Sequence, residues 1–546
     1  MYRGNFRAWV VLLKFSPVTC RGVGYSHFPL GRRWEVFSFV EMCRNMVVNS
    51  KSVVFVELQP ALPNIGSFLI SPSYGIILLA TSLQKLRYKT SVLVEGITEI
   101  NIQELEKFDF VCFSLQSAAA NKTYQMADDL RKKGKIIIFG GTHATYFPED
   151  CLEHCDYVVR REGDDVLPAL LSCLENKGDL SQMRGISYNN NGHIRHNADI
   201  TPPADLSISA DYSLIRDISR WNPLKRLLNG RRVILPVQSS RGCPNNCSFC
   251  IVNKMFGGTY RKRPIDTVIA ETKSAIRYTN RIQFVDNNFV GSSKLDIEYT
   301  TRLLQAIIAN NIKIKASAFV TIDVASNHDL LGLMKKAGIK LLMIGFESIN
   351  PKTLDGYHKH QEIDKIVQPI RTIKEYGFDI SATFMAGSDE DDYDSIIQTA
   401  QFATKWNLDQ LHYFMLTVYP EMRDLVPPKR VFVRNWDFFH GHYATFFPRN
   451  ICPSKLHEAV FKANRIFYSL KRIMKSLFAF KFNFAGKLVM LRILYQIIGQ
   501  SIKHKHIPFL RELERELYTE GKLNEELLRR RRITKIKYWE ENYYES

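Results

Sequence analysis

Cysteine is scarce in this chain, with ten residues in 546. That density cannot build a disulfide scaffold, so a cysteine cluster reads as a metal or catalytic site in a reducing cytoplasm. Clean apolar spans are missing too. Ala8–Leu13 is too short to cross a bilayer and lacks the small-residue cleavage site of a secretory signal. Leu477–Ile498 is broken by Lys481, Lys487 and Arg492, which argues against a membrane span. Acids are few: 55 Asp and Glu against 74 Lys and Arg leave a net charge of +19. Such a surface favours anionic partners, whether phosphate-bearing cofactors, nucleic acid or lipid. Residues 1–48 hold only Glu35 and Glu41 as acids. They read as an N-terminal extension, or as translation from an upstream start with Met46 the natural beginning. What remains is globular in composition, 45% hydrophobic and 24% charged. That excludes a disordered chain, a collagen-like fibre and a polytopic membrane protein. The length suggests two to four domains.

Two alternating series of strand and helix signals follow. The first starts at Ser52–Leu58 and continues through a helix at Tyr74–Leu86 and strands at Thr90–Val94 and Phe110–Ser114. A helix at Thr123–Lys133 and strands at Lys135–Phe139 and Asp156–Val159 complete it. Alternation of this kind predicts a parallel, doubly wound α/β (Rossmann-like) domain over residues 49–200. A polar, turn-rich stretch around residues 186–225 reads as a small hairpin and a linker, the linker proper at 201–228. The second series has strands at Arg232–Gln238, Ile282–Val285, Lys315–Val320, Lys340–Ile344, Asp379–Met385 and Leu411–Leu416, with helices such as Asp296–Asn310 and Ile363–Tyr376 between them. Six βα units over residues 229–435 fall short of the eight of a full barrel, so a partial (β/α)6 barrel of TIM type is expected. Residues 436–546 read as a helical, basic region.

The strongest chemical signal is SSRGCPNNCSFC. Cys243, Cys247 and Cys250 have the spacing C-x3-C-x2-C, directly after the first barrel strand. Three thiolates on one loop suit three irons of a [4Fe–4S] cube, leaving the fourth iron open. A structural zinc site closes with four ligands, and no local fourth ligand is evident.

This loop, with Phe249 before its last cysteine at the top of a βα barrel, resembles the radical S-adenosylmethionine (radical SAM) superfamily. The resemblance implies that the open iron chelates S-adenosylmethionine, which a reduced cluster cleaves to a 5′-deoxyadenosyl radical. It also implies cofactor contacts at strand ends: Asp286 (FVDNNF) near the methionine amino group, Glu347 (IGFES) near the ribose or methionine part, and Gly387 and Ser388 (MAGSDEDD) near the adenine. Other readings stay open. Asp286 also suits a helix cap, Glu347 an ion pair with a nearby Lys, and Gly387 a simple turn.

The stretch IIIFGGTHATYFPEDCLEHCDYVVRREGDD resembles the cobalamin (B12)-binding domains found ahead of radical SAM barrels. By that likeness Ser114, Gly140, Gly141 and His143 lie near the cobalamin nucleotide tail. Glycines without Cβ atoms admit close approach to the backbone. A satisfied structural histidine is an equal reading of His143. The D-x-H-x-x-G motif that supplies a lower cobalt ligand is absent; LQPALPNIGSFLISPSYG stands in its place. Either the cobalt face is open or water-bound, or the domain no longer binds cobalamin.

The reading is thus a cobalamin-dependent radical SAM enzyme, a C-methyltransferase acting on an unactivated carbon of a lipid- or tetrapyrrole-like small molecule. The cobalamin-radical group includes enzymes acting on hopanoids, chlorophyll precursors and archaeal-type lipids. The alternatives are a radical cyclase, rearranging or carbon-joining enzyme without methyl transfer, and a non-catalytic Fe–S or cobalamin sensor. A methylthiotransferase acting on RNA fits less well, because Cys112, Cys151 and Cys155 read as buried small apolar residues rather than as a second cluster motif. Tyr413, Met415, Trp436 and His440 are candidates for the cavity wall. The family resemblance implies a flavodoxin or ferredoxin as electron donor. A cytoplasmic location is expected; Leu477–Ile498 reads as an amphipathic helix docked on the barrel, with peripheral contact to an anionic membrane through the C-terminal region as the alternative. The run Arg529–Arg532 reads as a solvated helix face, and no nucleic-acid recognition fold accompanies it.

Overall fold

The computed structural model describes residues 51–530, apart from residues 63, 65–68, 204, 221–231, 360, 433–434, 516 and 520. The N-terminal extension, much of the linker and the end of the four-arginine run lie outside the described residues.

Strands β1 (Ser52–Glu57), β2 (Lys89–Val94), β3 (Phe110–Ser114), β4 (Ile136–Gly140) and β5 (Tyr157–Val159) form a parallel sheet in the order β2-β1-β3-β4-β5. Runs such as SVVFVE, FVCFS and IIIFG are buried on both faces, as a parallel sheet covered by helices on both sides requires. The order is that of a doubly wound sheet whose direction of winding reverses between β1 and β3, where a crevice opens at the carboxyl ends of the strands. The polar hairpin foreseen after residue 186 is built from β6 (Ile186–Asn190) and β7 (His193–His196). It is not a free linker element: it continues the same sheet by antiparallel pairing onto β5. Parallel pairing sets Ser114 beside Gly140 at the carboxyl edge.

Strands β8 (Leu235–Val237), β9 (Arg281–Phe284), β10 (Lys315–Val320), β11 (Ile339–Glu347), β12 (Asp379–Ala386) and β13 (Gln410–Met415) pair in parallel in strict sequence order. Adding every strand at the same edge curls the sheet into six βα units, an open relative of the eight-stranded barrel. Local signals set the helices between them. Ser293 and Asp296 form a capping box on Lys294–Ala309, and Asp392 and Ser395 form one on Tyr393–Lys405. The helix foreseen at Ile363–Tyr376 divides into a 3-10 turn, Ile363–Lys365, and the helix Val367–Glu375. Leu69–Ile70 pairs with Arg232–Val233, a short parallel ladder between the two domains. Helices Pro453–Phe467, Leu470–Phe478, Phe482–Ser501 and Ile507–Glu514 follow the barrel. None of the described helices is long and apolar enough to cross a membrane.

Candidate functional site

The cysteine loop leaves the barrel through a narrow neck. Ser240–Gly242 pairs antiparallel with Tyr260–Lys262, so the chain from residue 243 to 259 closes on itself. Gly242 has φ +89°, and a Cβ there would meet the Thr259 carbonyl oxygen at 1.8 Å; only glycine fits this turn. Beyond the neck, the Ser248 N–H donates to the Tyr357 carbonyl at 3.1 Å and its hydroxyl to that of Gly356 at 2.8 Å. Phe249 packs on Tyr357, ring centroids 4.9 Å apart. The loop is thereby seated on the segment that follows β11.

Cys243, Cys247 and Cys250 are partly exposed and free. Burial pushes all three thiols up, Cys250 to about 11, while the Lys359 ammonium pulls Cys243 and Cys247 the other way. A metal must therefore displace protons on binding. Among the described residues no three His, Cys, Asp or Glu side chains converge as one ion would demand. Three thiols on one loop suit a cube, in which each thiolate takes its own iron, whereas structural zinc closes with four ligands.

The strand-end residues divide into two kinds. Glu347 ends β11 with φ +64°, a conformation that costs a non-glycine residue on the order of 1–2 kcal/mol. Its Oε1 accepts from Lys359 Nζ at 3.0 Å, the ion pair foreseen as an alternative, and its charge acts on Cys247 and Cys250. Gly387 (φ +100°) and Ser388 turn the chain after β12. Both N–H groups donate to Asp391 Oδ2 at 2.9 Å, and the Ser388 hydroxyl lies 3.1 Å from that of Thr353. Burial raises the Asp391 carboxyl to about 6 despite those donors. Asp286, by contrast, is fully buried and accepts from Ser239 N at 3.1 Å, Ser239 Oγ at 2.7 Å and Ser240 Oγ at 2.5 Å. It neither caps the next helix, which Ser293 does, nor lines a cavity: it braces the neck of the cysteine loop. Its neighbours Val285 and Asn287 reach the cavity instead.

That cavity, about 330 Å³, is bounded by both sheets. Ser114, Gly140 and Gly141 come from the carboxyl edge of the first sheet, Gln238, Arg241 and Asn287 from the barrel mouth, and Met255 and Phe256 from the cysteine loop. Gly141 has φ +93°, and a Cβ would lie 3.1 Å from both N and O of Leu115. Gly140 is freer, a Cβ there lying 3.7 Å from the Val159 carbonyl. His143 does not line the cavity. It is wholly buried, its Nδ1 3.0 Å from Ser117 Oγ and its Nε2 2.8 Å from Tyr124 OH. Both ring nitrogens are engaged, as the structural reading of this histidine expects. Tyr413, Met415, Trp436 and His440 are also absent from the cavity wall. The Tyr413 hydroxyl donates to the Ile396 carbonyl at 2.8 Å, and Trp436 Nε1 to Asp150 at 2.9 Å. Cys112, Cys151 and Cys155 are buried among apolar side chains.

Comparison with known proteins fits this arrangement. The family model of the radical SAM superfamily matches residues 237–403, and that of the B12 binding domain matches residues 69–171. The chain carries a radical SAM domain and, ahead of it, a B12-binding domain. A radical SAM domain works with a [4Fe–4S] cluster and S-adenosylmethionine, and a B12-binding domain with cobalamin. The chain is 24% identical to bacteriochlorophyllide d C-12(1)-methyltransferase of Chlorobaculum tepidum, over 75% of this chain and 86% of that one. It is 26% identical to the anaerobic magnesium-protoporphyrin IX monomethyl ester cyclase of Cereibacter sphaeroides, over 62% and 56%. Among solved structures, the cobalamin-dependent S-adenosylmethionine radical enzyme OxsB shares the fold. Its TM-score is 0.63 at 16% identity, covering 86% of this chain and 76% of that one.

The B12-binding and radical SAM domains are clamped together by groups the motifs did not reveal. Arg241, at the neck, places Nη1 2.7 Å from Glu162 and 2.8 Å from Asp164, and Arg261 reaches Glu162 at 2.6 Å. The EGDD segment thus holds the joint. Arg263 and Glu271, both fully buried, pair at 2.9 Å, and Tyr74 of the first domain donates to Glu271 at 2.9 Å. Near the joint Ser117 also meets Tyr419 OH at 3.2 Å, and Trp436 packs on His143, 4.6 Å between centroids. The signal available in sequence was only the Arg before Gly242 and the acids after Arg161. Neither names its partner across the chain.

Proposed function

We propose that this chain is a cobalamin-dependent radical enzyme that methylates an unactivated carbon on a lipid- or tetrapyrrole-like substrate. The observation that carries the reading is a cavity among the described residues bounded by the Ser114–Gly141 edge, by Gln238, Arg241 and Asn287 of the barrel mouth, and by Met255 and Phe256, which follow the three cysteines in their loop. Substrate, cobalt and cluster must meet for such a transfer, and one chamber reached from both domains provides the meeting place. When bound, the cluster with S-adenosylmethionine supplies one-electron hydrogen abstraction, and cobalamin supplies the methyl group.

The chain's own residues do the rest. Cys243, Cys247 and Cys250 hold the cluster. Phe249, on Tyr357, fixes the loop's pitch. Glu347 and the Gly387–Ser388 turn flank S-adenosylmethionine, and Asp286 positions the neck from beneath. Ser114, Gly140 and Gly141 admit the cobalamin tail to the sheet edge. The apolar share of the cavity wall, with Met255 and Phe256, excludes water from the reacting carbon. A flavodoxin or ferredoxin delivers the electron.

A ring-forming radical reaction without methyl transfer is the second reading, favoured by the similarity to the magnesium-protoporphyrin cyclase. Methyl-deuterated S-adenosylmethionine separates the two. Incubation of the reconstituted enzyme with tetrapyrrole and membrane-lipid extracts should place the labelled methyl on a substrate carbon. Formation of 5′-deoxyadenosine with a product lacking the label would favour ring formation instead.

A further inference from the structure

The helix Phe482–Ser501 is apolar on two opposite faces. Ala485, Leu488, Leu491, Leu494 and Ile498 are buried. On the other side Phe482, Val489, Met490, Ile493 and Ile497 form a second stripe, at helical spacing, that is open to solvent. A helix with one buried face normally turns polar residues outward, and among the described residues this second stripe has no partner. The preceding helix, Leu470–Phe478, adds Leu470, Met474 and Phe478 at four-residue intervals. At the corner between the helices Phe478, Phe480 and Phe482 are 75%, 81% and 62% exposed. Phe480 holds φ +54°, where glycine or asparagine would sit without strain.

The two helices themselves carry charge of one sign, and Asp379 of the barrel meets them at Lys487. From Ala459 to Arg511 there is no Asp or Glu, and Lys or Arg stands at eleven positions. Lys471, Lys475 and Lys481 are exposed beside the phenylalanines. None of the described helices can span a bilayer. We infer that this corner and its two helices dock on the surface of an anionic bilayer. The phenylalanines enter the headgroup boundary and the lysines meet lipid phosphates. A second copy of the chain is disfavoured as occupant, because a symmetric contact would press one strongly basic face against another. The inference rests on surface composition alone, so its failure and that of the methyltransferase reading are separable.

The test is co-sedimentation of the full-length protein with vesicles of phosphatidylcholine, with and without phosphatidylglycerol. Binding should require the anionic lipid and weaken as salt rises. The triple variant Phe478→Ser, Phe480→Ser, Phe482→Ser should bind at least about tenfold more weakly, while its iron content and S-adenosylmethionine cleavage in detergent match the parent. A second variant, Lys471→Gln with Lys475→Gln and Lys481→Gln, should lose most of the anionic-lipid preference. Overturning results are triple-variant binding equal to the parent's, no binding to anionic vesicles at low salt, or a dimer in sedimentation velocity that the triple variant dissolves without any vesicle binding.

Discussion

Arg241 and Cys243 are near neighbours in sequence and opposite in character. The arginine is buried and pairs with two carboxylates from the other domain. The cysteine stands partly open with its thiol free. The same contrast separates the whole joint from the whole mouth. At the joint, Arg263, Glu271 and Tyr74 are closed inside the protein by one another, and His143 nearby by Ser117 and Tyr124. At the mouth, Glu347 is held at a strained φ and the chain narrows to glycine at residues 242 and 387. Buried charge that is fully paired holds domains in register. The groups left open for a ligand at the mouth are the cysteines, while Glu347 beside them is buried and paired with Lys359.

The largest effect should come from the mouth. Replacing Cys243, Cys247 or Cys250 with Ala should abolish both iron binding and 5′-deoxyadenosine formation. The apoprotein's unfolding free energy should stay within about 1 kcal/mol, because partly exposed thiols contribute little to the core. At the joint the pattern should invert. Arg241→Ala leaves Asp164 without that partner and Glu162 with Arg261 alone, at a cost of about 3 kcal/mol in a urea titration. A cycle with Glu162→Gln should give a coupling of about 1–3 kcal/mol.

Asp391 lies between these extremes. Its carboxyl is raised from 3.8 to about 6 by burial. A raised folded value stabilises fully below the unfolded value and is lost as pH climbs through the folded one. Asp391→Asn cannot ionise. Its stability relative to the parent should therefore rise between pH 4 and 6, by up to about 3 kcal/mol, measured by denaturant titration at each pH. His143→Phe should cost about 1–3 kcal/mol by leaving Ser117 and Tyr124 short of a partner, with cobalamin affinity unchanged within about twofold. A selective loss of cobalamin would move His143 from the joint to the site. Gly141→Ala should cost about 1 kcal/mol in stability and weaken cobalamin retention. Gly140→Ala should do less of both, since its Cβ has room.

What was legible in the sequence follows from range. Apolar runs such as IIIFG and the order of six strands are local patterns, and both sheets follow them. The cysteine loop was legible because its ligands are close together along the chain. Asp286 was placed at a strand end but on the wrong side of it. A strand end does not say whether a side chain faces the mouth or the neck, and the Ser239–Ser240 hydroxyls draw this one inward. The hairpin after residue 186 looked like a linker because its outer positions are polar. It is an edge, and an edge faces water. Arg241 with Glu162, and Tyr74 with Glu271, pair across wide sequence separations. Nothing in either segment announces the other.

The central claim is that one chamber, closed by a paired joint, serves both cofactors. The most direct measurement is anaerobic reconstitution with iron, sulfide and hydroxocobalamin, followed by iron, cobalamin and S-adenosylmethionine turnover on one preparation. The account predicts about four irons and one cobalamin per chain, with 5′-deoxyadenosine formed after reduction and both cofactors retained through gel filtration. Zinc in place of iron, or an active cluster on a chain that retains no cobalamin, would contradict it.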